Sequence, residues 1–117
     1  MKKVEVIIRS EKLDELREAF DAKYLSGMTV TEVKGRGIQK GITLEWRVGD
    51  YTVEFLPKIK VELVIDDNRV EEVIGIIEAV CKTGNIGDGK IFVSTIDEVV
   101  RIRTGERGTK ALYSTIK

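Results

Sequence analysis

The sequence predicts an α+β sandwich: two β-α-β halves forming one four-stranded antiparallel sheet, with two helices on one face. Three observations predict it. Lys3-Val4-Glu5-Val6-Ile7-Ile8 and Lys60-Val61-Glu62-Leu63-Val64-Ile65 match at an offset of 57 residues. The same offset lays Leu13 on Val70, Leu16 on Val73 and Phe20 on Ile77. Each half then reads strand, helix, strand by its hydrophobic period, the order of a split β-α-β fold.

The elements follow in order. Lys3 to Ile8 alternates and is β-branched, so it reads as a strand. Ser10 suits an N-cap, and Leu13, Leu16, Ala19 and Phe20 recur at helical spacing until the pattern fades near Lys23. Met28 to about Lys34 gives a second strand. From Gly35 to about Phe55 no clean period survives. Gly35, Gly37, Gly41 and Gly49 punctuate a stretch long enough to suggest a functional loop. Lys60 to Ile65 forms the third strand, and Asp66, Asp67 and Asn68 supply turn and capping chemistry. A second helix carries Val70, Val73, Ile74, Ile77 and Val80, with Gly84 as its stop. A glycine loop, Gly84 to Gly89, leads into a fourth strand, Ile91 to Ile96. The tail beyond Val100 is basic and polar. This is the ferredoxin-like βαββαβ arrangement. Apolar residues on both faces of strands one and three predict that the sheet's open face is covered by oligomerisation.

Composition limits the function. The 117 residues suit one domain, and 42% are apolar. Twenty basic and twenty acidic residues give no net charge, which argues against general nucleic-acid or membrane binding. There is no histidine, so Ser-His-Asp and Cys-His catalysis and His-based zinc sites are excluded. The single cysteine, Cys81, reads as a core filler in a reducing, cytosolic protein. The charged, alternating start does not resemble a signal peptide, and no apolar run reaches the ~20 residues of a membrane span.

Three segments carry chemistry. Gly84 through Lys90 has the Gly-four-Gly-Lys spacing of a phosphate loop. However, Ile91 replaces the Ser or Thr that holds magnesium, and a strand follows instead of a helix. An NTPase is therefore rejected. The loop is either a tight turn or a cradle whose N–H groups and Lys90 meet an anion. Arg101-Ile102-Arg103, read as extended, puts two guanidinium groups on one side. It is either a solvated edge or part of a polyphosphate site. The long loop holds Lys40, Trp46, Arg47, Val48 and Tyr51, with Phe55 nearby, a composition that suits contact with a partner. No carboxylate pair has a spacing that calls for acid–base catalysis, so a non-enzymatic protein is expected.

Several motifs together resemble the PII signal-transduction family. They are Gly27-Met28-Thr29-Val30-Thr31-Glu32-Val33-Lys34-Gly35-Arg36-Gly37, Gln39-Lys40-Gly41, Phe55-Leu56-Pro57-Lys58, Thr83 through Ile96, and Val100 through Gly108. The similarity runs over residues 1–112 as a single domain, with a long T-loop at about 37–55 and a tail at 113–117. It implies a homotrimer with ATP or ADP bound in clefts between subunits. It also implies 2-oxoglutarate sensed through Mg-ATP, and a T-loop that controls a transporter or enzyme of nitrogen metabolism. Such a protein would be cytoplasmic and would reach the membrane only through a transporter. By matching position, Gly87, Asp88, Gly89, Lys90, Arg101 and Arg103 would hold phosphates. Met28, Thr29, Glu62 and Val64 would line the adenine and ribose pocket. Gly35 and Gly37 would let the loop base approach the nucleotide. Gln39 would serve magnesium and 2-oxoglutarate, and Lys58 a 2-oxoglutarate carboxylate.

Two departures stand out. Ile38 replaces the family's usual Arg at the terminal phosphate, which should weaken preference for ATP over ADP. An ADP/ATP energy sensor without a 2-oxoglutarate response is the alternative reading. At the loop tip, Trp46-Arg47-Val48-Gly49-Asp50-Tyr51 replaces the usual pattern. Tyr51 sits where many relatives are uridylylated, and Trp46, Arg47 and Tyr51 are candidate partner contacts.

Overall fold

The computed structural model describes residues 1–25, 27–36, 42–46, 49–53 and 55–113, with 42–46 and 49–53 described by their backbone. The strands are β1 (Lys2–Ile8), β2 (Thr29–Gly35), β3 (Ile42–Trp46), β4 (Gly49–Val53), β5 (Leu56–Ile65) and β6 (Lys90–Thr95). The helices are α1 (Leu13–Asp21), α2 (Val70–Cys81) and the single turn α3 (Thr109–Leu112).

The main sheet has the order β2-β5-β1-β6, antiparallel throughout, as a ferredoxin-like βαββαβ fold requires. The internal repeat is visible in the packing. Short 3-10 turns at Ser10–Lys12 and Asp67–Arg69 precede the two helices at equivalent places. Leu16 and Phe20 of α1, and Val73 and Ile77 of α2, are all buried. They meet Val4, Val6 and Ile8 of β1 and Ile59, Val61, Leu63 and Ile65 of β5, alternate residues on the helix-facing side. Each such side chain stabilises the fold by about 1.5–3 kcal/mol relative to exposure, so the two central strands and two helices form one core. Cys81 closes its edge as a free, buried thiol.

The open face carries charge as well as apolar side chains. Lys3 and Glu5 of β1 and Lys60 and Glu62 of β5 alternate with the core residues. Lys60 Nζ lies 3.1 Å from Glu62 and 3.4 Å from Glu5, and Lys3 Nζ lies 3.4 Å from Glu62. These ion pairs are interspersed with Ile7, Val33, Val64 and the exposed Phe92, so the face is mixed, part charged and part apolar. Ile7 and Val64 put apolar side chains on the open face of both β1 and β5, as the sequence predicts.

Other boundaries move for local reasons. Ser10 begins a 3-10 turn and caps no helix with its side chain. The second helix stops at Cys81, where Lys82 turns extended (ψ 123°), before Gly84 is reached. The third strand begins four residues early, at Leu56. Pro57 fits there because it pairs only with Lys34 of β2, whereas pairing with β1 starts at Ile59. The segment from Gly35 to Phe55 is not without period, since β3 pairs with β4 from Ile42↔Val53 to Trp46↔Gly49. Ile42, Leu44 and Trp46 alternate with Thr43 and Glu45, a run too short to stand out between glycines.

Candidate functional site

The loop from Cys81 to Lys90 takes its shape from its glycines and one carboxylate. Gly84, Gly87 and Gly89 all have positive φ. Gly89 is also forced by space, because a Cβ there would lie 1.9 Å from the carbonyl oxygen of Ile7. Inside the loop, the Asp88 carboxylate accepts the backbone N–H groups of Thr83 (2.8 Å) and Gly84 (2.9 Å) and the Thr83 hydroxyl. These Thr83 bonds, chiefly the hydroxyl, hold the Asp88 carboxyl well below the usual carboxylate range. The side chain of Asp88 is thus the internal brace of the loop.

Two cations flank the same loop. Lys58 Nζ donates to the Gly87 carbonyl at 3.2 Å. Arg9 Nη2 donates to the Ile86 carbonyl at 2.8 Å, and its Nε lies 3.4 Å from Asp88. Gly35 packs over the Lys58 stem, where a Cβ would meet Cγ at 3.3 Å. Lys90 opens β6 opposite Ile7 and is exposed. Gly35, Lys58, Gly87, Asp88, Gly89 and Lys90 therefore gather at one end of the sheet.

Thr29 and Glu62 are cross-strand partners on the open face. The Glu62 carboxyl is lowered chiefly by its hydrogen bond to Lys60. Val64 lies half-buried on the same face beside Lys3, its β1 partner. Met28 packs against the core instead.

Arg101 and Arg103 occupy the opposite end. Ile96 N–H bonds to the Met1 carbonyl, and Tyr113 hydroxyl bonds to Asp66, just past β5. The Arg101 guanidinium pairs with Glu106 at 2.9 Å and donates to the carbonyls of Lys110, Ala111 and Tyr113 at the end of α3. The segment is not extended. Ile102 to Thr104 turn, Gly105 N–H bonds back to the Arg101 carbonyl at 2.7 Å, and Val100 bridges Arg107. Gly105, at φ 72°, permits that reversal, so alternation does not set the directions of the two Arg side chains. Ile102 is fully exposed. β1 separates the two ends by about 20 Å at ~3.4 Å per residue.

The family model for nitrogen regulatory protein P-II matches residues 1–106. The chain belongs to the P-II family. It is 56% identical over 112 residues to "Nitrogen regulatory protein P-II" of Nostoc punctiforme, covering 96% of this chain and all of that relative. The same figures hold for the protein of that name from Rhodospirillum rubrum. "Nitrogen regulatory protein P-II 2" of Methanothermobacter thermautotrophicus is 54% identical, over 96% of this chain and 97% of its own.

Of the P-II residues expected from sequence, Gly37, Ile38, Gln39, Lys40, Arg47 and Val48 lie outside the described residues. For Trp46 and Tyr51 only the backbone is described, paired with Gly49 and Leu44. Among the described residues, no group of three or more His, Cys, Asp or Glu is placed to hold a metal ion, and no helix is long and apolar enough to cross a membrane. Sequence reasoning missed Arg9, which no motif connects to a loop 77 residues away. It also missed the Tyr113–Asp66 contact, for which the sequence offers no periodic signal.

Proposed function

We propose that this P-II protein is a non-enzymatic regulator that binds ATP and ADP in clefts between three copies of the chain. The observation that supports this most is the separation of its cations. The glycine loop with Lys90 and the Arg101–Arg103 pair stand at opposite ends of one sheet. A polyphosphate needing both sets must take them from neighbouring copies, and closed assembly of identical chains supplies that arrangement. The loop's tight course depends on its glycines, because a Cβ at position 89 would strike the Ile7 carbonyl oxygen of β1, and Lys90 is exposed beside it.

In this reading the N–H groups of Gly87, Asp88, Gly89 and Lys90, with the Lys90 ammonium, bind phosphate oxygens. Arg101 and Arg103 of a neighbour close the far side. Thr29, Glu62 and Val64 lie where the open face would meet the nucleoside. Met28 would contribute only through its backbone or edge, since its side chain packs on the core. Magnesium accompanying ATP neutralises phosphate charge when bound, and Gln39 is the residue assigned to it. Lys58 and Gln39 would serve 2-oxoglutarate. Each nucleotide favours a different arrangement of residues 37–55, and the long loop passes that difference to a membrane transporter or a metabolic enzyme through Trp46, Arg47 and Tyr51. Such switching requires unequal affinity for the loop states. Tyr51 is the candidate for covalent modification. The protein is assigned to the cytoplasm and reaches the membrane only on a transporter.

Ile38 favours a second reading, an ADP/ATP sensor without a 2-oxoglutarate response, because an apolar residue replaces a cation at the terminal phosphate. Titration calorimetry with ATP or ADP, with and without magnesium and 2-oxoglutarate, separates the two. 2-Oxoglutarate uptake only with Mg-ATP supports the first. Nucleotide binding alone supports the second. Absence of any nucleotide binding overturns both.

A further inference from the structure

We infer that Arg9 is a positioning residue that aims the backbone N–H of Gly87 at the bound phosphate. This rests on the nucleotide reading above but adds a residue that neither the loop's spacing nor its glycines identify.

The inference follows from peptide geometry. In a trans peptide the C=O and N–H of one unit point in opposite directions, and the described chain has no cis bond. The Ile86 carbonyl points at Arg9 Nη2, 2.8 Å away, so the N–H of the same unit, that of Gly87, points away from Arg9. The Gly87 carbonyl points at Lys58 Nζ, 3.2 Å away, so the Asp88 N–H points away from Lys58. Two successive units are thus held by their oxygens, and each donor is turned away from the cation that holds its unit.

Nothing inside the loop does this work. Gly87 has φ +102°, where a glycine peptide is otherwise free to swing. The Asp88 brace fixes Thr83 and Gly84, at the loop's other end. Arg9 joins the two parts, because its Nε reaches Asp88 while Nη2 reaches Ile86. It is also well anchored. It follows β1 directly in extended conformation (φ −64°, ψ 139°), and its side chain is only 20% exposed. One residue beyond the Ile8–Ile59 pair, Arg9 and Lys58 come to the same end of the sheet. Two cations at such neighbouring positions repel, and each is steadied by a loop oxygen.

The test uses the full chain. ADP affinity is measured by calorimetry for wild type, Arg9→Met and Arg9→Lys, with thermal stability and oligomeric state recorded for each. Arg9→Met is expected to weaken ADP at least tenfold while remaining folded. Arg9→Lys, which keeps one donor and the charge, should recover part of the loss. Equal affinity in wild type and Arg9→Met overturns the inference and leaves the nucleotide reading intact. Wild type that binds no nucleotide overturns both. Should Arg9→Met fail to fold, amide NMR of wild type titrated with ADP decides. The Gly87 and Asp88 amide protons are expected to shift more than those of Asn85 and Ile86, and the reverse order overturns the assignment.

Discussion

Replacing Gly89 with alanine tests the loop's architecture most sharply. The new Cβ would sit 1.9 Å from the Ile7 carbonyl oxygen and 3.1 Å from its carbon, both backbone atoms of a central strand. Neither can rotate aside, so the loop must move more than 1 Å away from β1. The residue would also carry φ +106°. The left-handed conformation costs about 1–2 kcal/mol for a residue with a Cβ, and forcing packed groups apart costs roughly 1–3 kcal/mol more. A destabilisation of about 2–5 kcal/mol corresponds to a fall in Tm of roughly 10–20 °C for a chain of this size. Gly84→Ala is the internal control. Its φ is +86° but nothing lies within 4 Å of the added carbon, so only the conformational cost of about 1–2 kcal/mol applies. Melting curves at one fixed protein concentration compare the two, since assembly makes Tm depend on concentration. ADP titration should show Gly89→Ala at least tenfold weaker than Gly84→Ala. Equal Tm values for the two variants would refute the steric reasoning.

Three further outcomes are expected. Asp88 has a depressed carboxyl, so its bonds contribute stability above the unfolded carboxylate value of about 3.9. That contribution is lost as pH falls below about 4 towards the folded value. Urea unfolding of Asp88→Asn should therefore show a shallower acid limb than wild type, and identical limbs would count against the brace. Burial pushes the Cys81 thiol up to about 11, so a thiol reagent at pH 8 should react slowly with the folded protein and quickly in urea; fast reaction in the native state contradicts its place in the core. Tyr113→Phe removes the hydroxyl that holds the last turn to Asp66 and loosens the carbonyls that occupy Arg101. Nucleotide affinity should rise by several-fold, bounded near tenfold by about 1.4 kcal/mol for such a bond. Unchanged or weaker binding would show that the turn does not compete for Arg101.

The fold was legible because repetition and period were legible. The 57-residue offset located both central strands, both helices and the residues that face the core. What stayed hidden depended on single contacts between distant residues. Arg9 reaches Ile86, Lys58 reaches Gly87, and Tyr113 reaches Asp66, and none of these pairs leaves a pattern in the chain. The glycine loop is recognisable from its spacing, but that spacing does not show that the Asp88 carboxylate serves as an acceptor inside the loop. Arg101 and Arg103 do not lie in the extended segment that their alternation suggests, because Gly105 reverses the chain two residues after Arg103.

Subunit complementation tests the shared cleft most directly. Lys90→Ala and Arg101→Ala chains, each deficient in ADP binding alone, would be unfolded together and reassembled. With random mixing, about one cleft in four draws its intact Lys90 and its intact Arg101 from different chains. Calorimetry on the mixture should then recover about that fraction of wild-type ADP sites at near wild-type affinity. A mixture that binds no better than either variant alone would contradict a site built between copies.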